Sequence, residues 1–291
     1  MDILTQLNKA MAYIESHIDD DLLLSEVSSV TAYSPYHFGR LFYYIADMPL
    51  SEYIRKRKLS LAAMKLQNGN DKIIDLAVMY GYNSADSFTR AFIKQHGIKP
   101  SNARKPGVSF TIFPPLTFQI KIKGEQAMNW RIEEREAFEV FGIEQIFKND
   151  EIGKIPGFWD ECFKNGSYEK LIKDSENASG AFGEGSCIVH ALCGHVNPGE
   201  EGTFPYMLFA VKSDKAQTDG YKLFTVPKAT WAVFRASVDH SEGKYVCQIP
   251  TLFQRAYSEW LPSSGYEKAS APDMEIYGKD FDEVWIPVKK E

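Results

Sequence analysis

The sequence predicts two domains: an all-α domain built on a duplicated helix-turn-helix, then an α+β domain of two strand-helix-strand-strand repeats. Three observations carry this. Residues 24–98 repeat themselves at an offset of fifty: Leu24 falls on Ile74, Val27 on Ala77, Ser34 on Ser84, Phe38 on Phe88, Arg40 on Arg90 and Phe42 on Phe92. Residues 101–116 gather Pro106, Gly107, Pro114 and Pro115, the composition of a boundary. Beyond it the apolar spacing changes from helical period to alternation. The chain therefore divides into a first domain at 1–107, a linker at 108–116 and a second domain at 117–291.

In the first domain, residues 2–17 place Ile3, Leu7, Ala10, Met11 and Ile14 on one stripe, an amphipathic helix of about four turns. Asp19, Asp20 and Asp21 break it. Each copy of the repeat then has an apolar run at helical spacing (LLLSEVSSV, then IIDLAVMYGY) and a break (TAYS, then GYNS). A Ser opens the second helix, where its hydroxyl accepts from an orphan backbone N–H. Pro35 takes the first helical position, where its missing N–H costs nothing. The second helix turns Phe38, Leu41, Phe42 and Ile45 inward, matched by Phe88, Ala91, Phe92 and Gln95. Tyr36 and Arg40, four apart, project together from the opposite face, as do Asp86 and Arg90. Between the copies, Pro49-Leu50-Ser51 starts a helix to about Leu66 carrying Arg55, Lys56, Arg57 and Lys58, roughly 24 Å long.

Two short helices joined by a tight turn lay the second in a DNA major groove. An Arg there pairs with guanine O6 and N7, about 1–3 kcal/mol of discrimination. Two arginines at equivalent positions of a repeated motif favour DNA contact over mere solubilisation of a helix face. The candidate DNA contacts are Ser34, Tyr36, His37 and Arg40 in the first copy and Ser84, Asp86, Ser87 and Arg90 in the second, with Arg55 and Arg57 toward phosphate. The central helix can hold both recognition helices in adjacent major grooves, roughly 34 Å apart.

Through HFGRLFYYIADMPLSEYIRKRKLSLAAMKL and IIDLAVMYGYNSADSFTRAFIKQHGIKPSNAR, this stretch resembles the double helix-turn-helix domain of the AraC/XylS family of transcription regulators. The closing Gly, Pro and Arg of the family pattern are Gly97, Pro100 and Arg104. One departure is Asp47, where the first copy would usually carry Gly.

In the second domain, TFQIKIK alternates strictly and AFEVFGIEQIF is a second strand candidate. IPGFWDECFKNGSYEKL follows as a helix, then SCIVHALCGHV and FPYMLFAVK as strands joined by NPGEEGT. YKLFTVPKATWAVFRAS, a helix around PTLFQRAYSEWLPSSG, and the strands MEIYG and VWIPVKK complete the second repeat. Helices packed on an antiparallel sheet are implied. VPKATWAVF, EWLPSSGYE, MEIYG and VWIPV resemble the GyrI-like effector-binding domain, and the pairing with an AraC-type domain resembles the Rob-like regulators. The resemblance implies a small-molecule effector, cationic or amphipathic, in an aromatic pocket with a buried Glu, at Glu275 by the MEIYG match. Alternation sets Glu275 and Tyr277 on one shared face, either cleft or solvent. Trp159, Tyr206, Trp231, Trp260 and Tyr277 are candidate pocket walls, and Glu283 a second carboxylate. Aromatic faces attract cations, more strongly where water is excluded.

Charge agrees with this division. Net charge is −6, yet residues 1–107 hold 13 Lys and Arg against 11 Asp and Glu, while the remainder holds 20 against 28. The first part suits double-stranded DNA, and the acidic part either a different, cationic partner or simply a solvated acidic surface. No run approaches a membrane span, no signal-peptide layout opens the chain, and the four cysteines form no C-x-x-C pair, so a reducing cytoplasm is expected. Cys187, Cys193 and His195 share a face of one proposed strand, with His190 on the other, but their spacing matches no zinc module. No metal or cofactor is expected. RNA polymerase is a further partner of the regulator reading. An enzymatic alternative makes the second domain a hydrolase of small electrophiles with Glu275 as general base.

Overall fold

The computed structural model describes residues 3–31, 33–118, 127–176, 180–195, 202–238 and 245–290. It comprises two compact units, Met1–Gln119 and Ile120–Glu291.

The first unit is helical: α1 (Ile3–Ser16), α2 (Leu24–Ser29), α3 (Pro35–Ala46), α4 (Leu50–Asn68), α5 (Ile73–Met79), α6 (Ala85–His96) and α7 (Pro100–Ala103). The two halves match at the offset of fifty down to their ends. Ser34 caps α3 by accepting the His37 N–H at 3.3 Å, and Ser84 caps α6 by accepting the Ser87 N–H at 3.1 Å. Phe38 and Phe42 are fully buried, as are Phe88 and Phe92. Both helices stop at a left-handed residue, Asp47 (φ 53°) and Gly97 (φ 73°). Glycine takes that conformation without a Cβ clash, and Asp does not. Helix α4 serves both halves. Its Tyr53 ring lies 5.8 Å from Phe42, while Leu59, Ala62, Ala63 and Leu66 pack in the cluster around Phe88 and Phe92.

The segment expected as a linker, 108–116, is instead part of the helical unit. Ser60 Oγ accepts the Phe113 N–H at 3.0 Å, Tyr53 Oη accepts the Leu116 N–H at 3.2 Å, and Phe110 packs on the α4–α6 core. A proline-rich strip has few N–H groups to satisfy, and polar side chains of α4 meet these two. Phe118 also belongs here, exchanging two hydrogen bonds with the Asn8 amide at 2.9 and 3.0 Å. The expected strand TFQIKIK therefore begins in the wrong unit, and its residues 119–123 lie outside the described residues.

The second unit contains β1 (Asn129–Arg135), β2 (Phe138–Lys148), α8 (Ile155–Lys164), α9 (Ser167–Asp174), β3 (His190–Cys193), β4 (Thr203–Val211), β5 (Lys222–Val226), β6 (Ala229–Ser237), α10 (Ile249–Arg255), β7 (Tyr266–Lys268), β8 (Asp273–Tyr277) and β9 (Phe281–Lys290). The antiparallel sheet has the order β1-β6-β9-β8-β3-β4-β2-β5, with β7 on the end of β9. This order is palindromic in kind. One half is β2, α8–α9, β3, β4 flanked by β5; the other is β6, α10, β8, β9 flanked by β1. They join where β3 meets β8, with Ala191 opposite Glu275. The expected single helix after Pro156 is two, because Gly166 reverses the chain at φ 77°.

Residues opposite one another across an antiparallel pair share a sheet face. Leu192, Met207, Trp231, Val233, Met274, Ile276 and Trp285 build the core on one face. Cys193, Tyr206, Asp273, Glu275, Tyr277 and Val284 occupy the other.

Candidate functional site

In the helical unit the two recognition helices differ in what they present. On α6, Arg90, Asp86 and Ser84 are exposed and Ser87 is half-buried. On α3, Ser34 is exposed and Tyr36 and His37 are half-buried, but Arg40 is 3% exposed. Its Nη1 donates to the Tyr36 hydroxyl at 2.7 Å, and its guanidinium lies 5.5 Å from the centre of the Tyr44 ring. The expectation that Arg40 projects outward like Arg90 is therefore corrected. Tyrosines at both i−4 and i+4 give its guanidinium a local hydrogen bond and a π face.

Arg57 needs the same correction. It lies inside, with Nε and Nη2 donating to the two Glu15 oxygens at 2.8 and 2.6 Å and Nη1 donating to the Phe113 carbonyl at 2.6 Å. Tyr53 donates to the same Glu15 at 2.7 Å. Against the opposing pull of burial, these bonds hold the Glu15 carboxyl below its usual range. Arg57 thus ties α4 to α1 and to the proline-rich strip. Arg55, two residues earlier, is exposed.

In the sheet unit, Glu275 is 4% exposed on central strand β8. Its Oε2 accepts from the Tyr206 hydroxyl at 2.7 Å and the Tyr277 hydroxyl at 2.8 Å. Trp159 of α8 closes over this group: its Nε1 donates to Tyr206 Oη at 3.0 Å, and its ring meets Tyr277 edge-on at 5.1 Å. Burial, and then the Glu275 charge, raise both phenols far above the ordinary tyrosine range, so they stay protonated as donors. Two residues along the same face, Asp273 is neutralised by Lys268 at 2.6 Å, both side chains buried.

Three further candidates do not join this group. Trp231 belongs to the core on the other sheet face, its ring 6.3 Å from Trp285. Glu283 pairs opposite Ile276 and so also points to that face. There it accepts from Arg131 Nη1 and Arg235 Nε at 2.6 Å each and from Trp285 Nε1 at 2.8 Å. Trp260 closes its own aromatic stack, with Trp130 and Phe234 at 5.1 Å and Tyr266 at 5.7 Å. Strand parity decides the first two, and parity needs the register that only the sheet supplies.

Two residues beside the site were not singled out from sequence. Phe163 lies 6.0 Å from Trp159, and Tyr168 lies 6.2 Å from it. The spacing of Trp159 and Phe163, one helical turn, was the available signal. Both histidines weighed for metal are otherwise engaged. His195 Nε2 bonds Glu144 at 2.7 Å, and His190 Nδ1 accepts the Tyr277 N–H at 3.2 Å. Burial pushes the His190 imidazole down to about 3. Among the described residues no cluster of three such side chains could hold a metal ion.

Two family models match the chain. The GyrI-like small molecule binding domain covers residues 128–289, and a helix-turn-helix domain covers 27–106. The HTH-type transcriptional activator AarP of Providencia stuartii is 36% identical over 33% of this chain and 70% of its own. Regulatory protein SoxS of Escherichia coli is 36% identical over 32% of this chain and 88% of its own. The transcriptional regulator Rob of Salmonella typhimurium is 35% identical over 36% of this chain and 37% of its own. Among solved structures, SAV2435 bound to tetraphenylphosphonium covers 56% of this chain and 94% of its own at 19% identity, with a TM-score of 0.44. With Arg40 turned inward, it is these relatives, not a pair of outward guanidiniums, that establish DNA binding. The chain belongs to the GyrI-like small-molecule-binding family, joined to an AraC-type helix-turn-helix domain, and is a DNA-binding transcription regulator.

Proposed function

We propose that the effector is a small organic cation seated on Glu275 beneath Trp159, and that it changes how α3 and α6 engage two adjacent major-groove segments of DNA. The observation that carries this is a carboxylate 4% exposed, accepting from two phenols and roofed by an indole. A cation arriving there gains the carboxylate charge and the faces of three rings in a site shielded from water. Tyr206 and Tyr277 keep the carboxylate oriented until then. Regulation requires that the cation bind the DNA-competent state and its alternative with different affinities. DNA contact falls to Arg90, Asp86, Ser84, Ser87, Ser34, Tyr36 and His37, with Arg55 on phosphate. RNA polymerase is the further protein partner, and the cytoplasm the compartment, of this reading. The hydrolase alternative has no support from the relatives, which are transcription regulators.

Calorimetric titration with benzyltrimethylammonium tests the ligand half. Binding to the full-length chain and its loss in Glu275→Gln are expected, since the amide keeps the shape and removes the charge. Equal affinity in both proteins would refute the assignment.

A further inference from the structure

The two helix-turn-helix halves diverge in one consistent direction on their inner faces. Carried back into α1, the offset of fifty sets Ile3 against Tyr53, Leu7 against Arg57 and Ala10 against Ser60. At the ends of the recognition helices it sets Ile45 against Gln95 and Ala46 against His96. At all five positions the first half has an apolar side chain and the second a polar one. Ile3, Leu7 and Ala10 are buried, and so are Tyr53, Arg57 and Ser60, so contact with solvent does not explain the change. A buried polar group costs stability unless it is bonded.

The five polar side chains converge on the strip that follows α7, residues 110–116. Tyr53 Oη accepts the Leu116 N–H, and Arg57 Nη1 donates to the Phe113 carbonyl. Ser60 Oγ uses its full bonding capacity. It accepts from the Phe113 N–H at 3.0 Å and from Gln95 Nε2 at 3.2 Å, and it donates to the Lys56 carbonyl at 2.8 Å. Gln95 Nε2 also donates to that carbonyl, at 3.0 Å. The His96 ring meets Phe110 edge-on at 5.8 Å. One hydroxyl thus joins the strip, the middle of α4 and the last turn of α6. In the first half, Ala10 and Ile45 carry no group able to make such a joint.

We propose that residues 110–116 are a strap that positions α6 for its DNA half-site, with Ser60 and Gln95 as the positioning residues. This rests on the assignment of base reading in the second half to Arg90, on the same helix. The strap holds α6 and not α3, so releasing it relaxes base preference in one half-site and leaves the other as it was.

The test uses the full-length protein and three variants. Ser60→Ala removes the shared hydroxyl, at a position where the first half already has alanine. Phe113→Pro deletes the strap's N–H together with the ring, and Phe113→Ala deletes the ring alone; neither touches a helix. Amide hydrogen exchange of the free protein should run ~5-fold faster in α6 for Ser60→Ala and Phe113→Pro, the scale of one lost hydrogen bond. Exchange in α3, and in α6 of Phe113→Ala, should stay at wild-type rates. Selection of duplexes from random-sequence DNA then reads base preference. Ser60→Ala and Phe113→Pro should relax it at the base pairs that Arg90→Ala also relaxes, and at no others. Faster exchange in α3 and α6 alike overturns the strap, because the whole helical unit has then lost stability. Equal effects of the two Phe113 variants overturn it too, as does an α6 that Phe113→Pro leaves unmoved, since the α4–α6 contact then acts alone. Should Ser60→Ala not fold, the two Phe113 variants decide. Arg90→Ala reads the underlying assignment separately. If it relaxes no base pair while α6 still loosens in Phe113→Pro, the DNA face is misassigned and the strap stands.

Discussion

The two helix-turn-helix halves have the same caps, the same buried phenylalanines and an arginine at the same position, yet they spend that arginine differently. Arg40 lies between Tyr36 and Tyr44, at i−4 and i+4, and is drawn in; Arg90 lies between Asp86 and Lys94 and stays out. The neighbouring α4 repeats the contrast within three residues, with Arg57 locked to Glu15 and Arg55 exposed. An arginine's position in a motif therefore does not by itself make it a DNA contact. What decides is whether side chains or carbonyls on its own helix or packed against it offer the guanidinium an acceptor, as Tyr36 does for Arg40 and Glu15 for Arg57.

The largest effect should come from the inward set. Glu15→Ala leaves the Arg57 guanidinium, 7% exposed at the side chain, without its carboxylate. Breaking a largely buried pair from one side costs about 3 kcal/mol. Urea unfolding of the helical unit should show that loss, and a change under 1 kcal/mol would mean that Arg57 is held by the rest of its contacts. Next comes the outward set. Arg90→Ala should cost about 2 kcal/mol of specific DNA affinity in a gel shift, with relaxed preference at one guanine. Arg40→Ala should cost less affinity and some thermal stability. Equal affinity losses would show that DNA draws Arg40 outward, and the contrast between the halves would vanish on binding.

Much of this was legible in the residues. The repeat, its Ser caps and the strand-helix-strand-strand order follow from local pattern, and so does the shared face of Glu275 and Tyr277. The inward turn of Arg40 is also written locally, in Tyr36 and Tyr44, although the offset of fifty matches Arg40 to the exposed Arg90. The Glu15–Arg57 pair was not legible, because it spans 42 positions and exists only once α1 packs on α4. Strand β1 was missed because its charged NWRIEER shows little apolar alternation at the sheet edge. Trp231 and Glu283 needed the register of β6, β8 and β9, since a one-residue slip exchanges the two faces. The break between α8 and α9 is signalled by Asn165-Gly166, inside a stretch whose apolar spacing otherwise predicts one helix.

A smaller test uses the C-caps. Asp47 holds φ 53° where the second half has Gly97, so Asp47→Gly should stabilise the helical unit by about 1 kcal/mol. Thermal melting would show it. No gain would mean that the Asp side chain repays its strain locally.

The smallest effect separates the halves by pH. His96, on the last turn of α6, is 6% exposed and falls at the position of Ala46 in α3. Its Nε2 lies 3.2 Å from the Leu59 carbonyl, and burial lowers the pKa of the imidazole below its ordinary value of 6.5. The folded state thus holds this histidine neutral where the unfolded chain protonates it. Stability from this group is fully present above the unfolded value and is lost as pH falls below it toward the depressed folded value. Hydrogen exchange of the helical unit should therefore show α6 amides losing protection between pH 7 and 5 ahead of those in α3, roughly the span in which an unperturbed histidine takes up its proton. His96→Phe, keeping the ring between Phe92 and Phe110, should remove the difference. If α3 and α6 lose protection together in the wild type, acid acts on both halves through the shared α4, and the halves do not open independently.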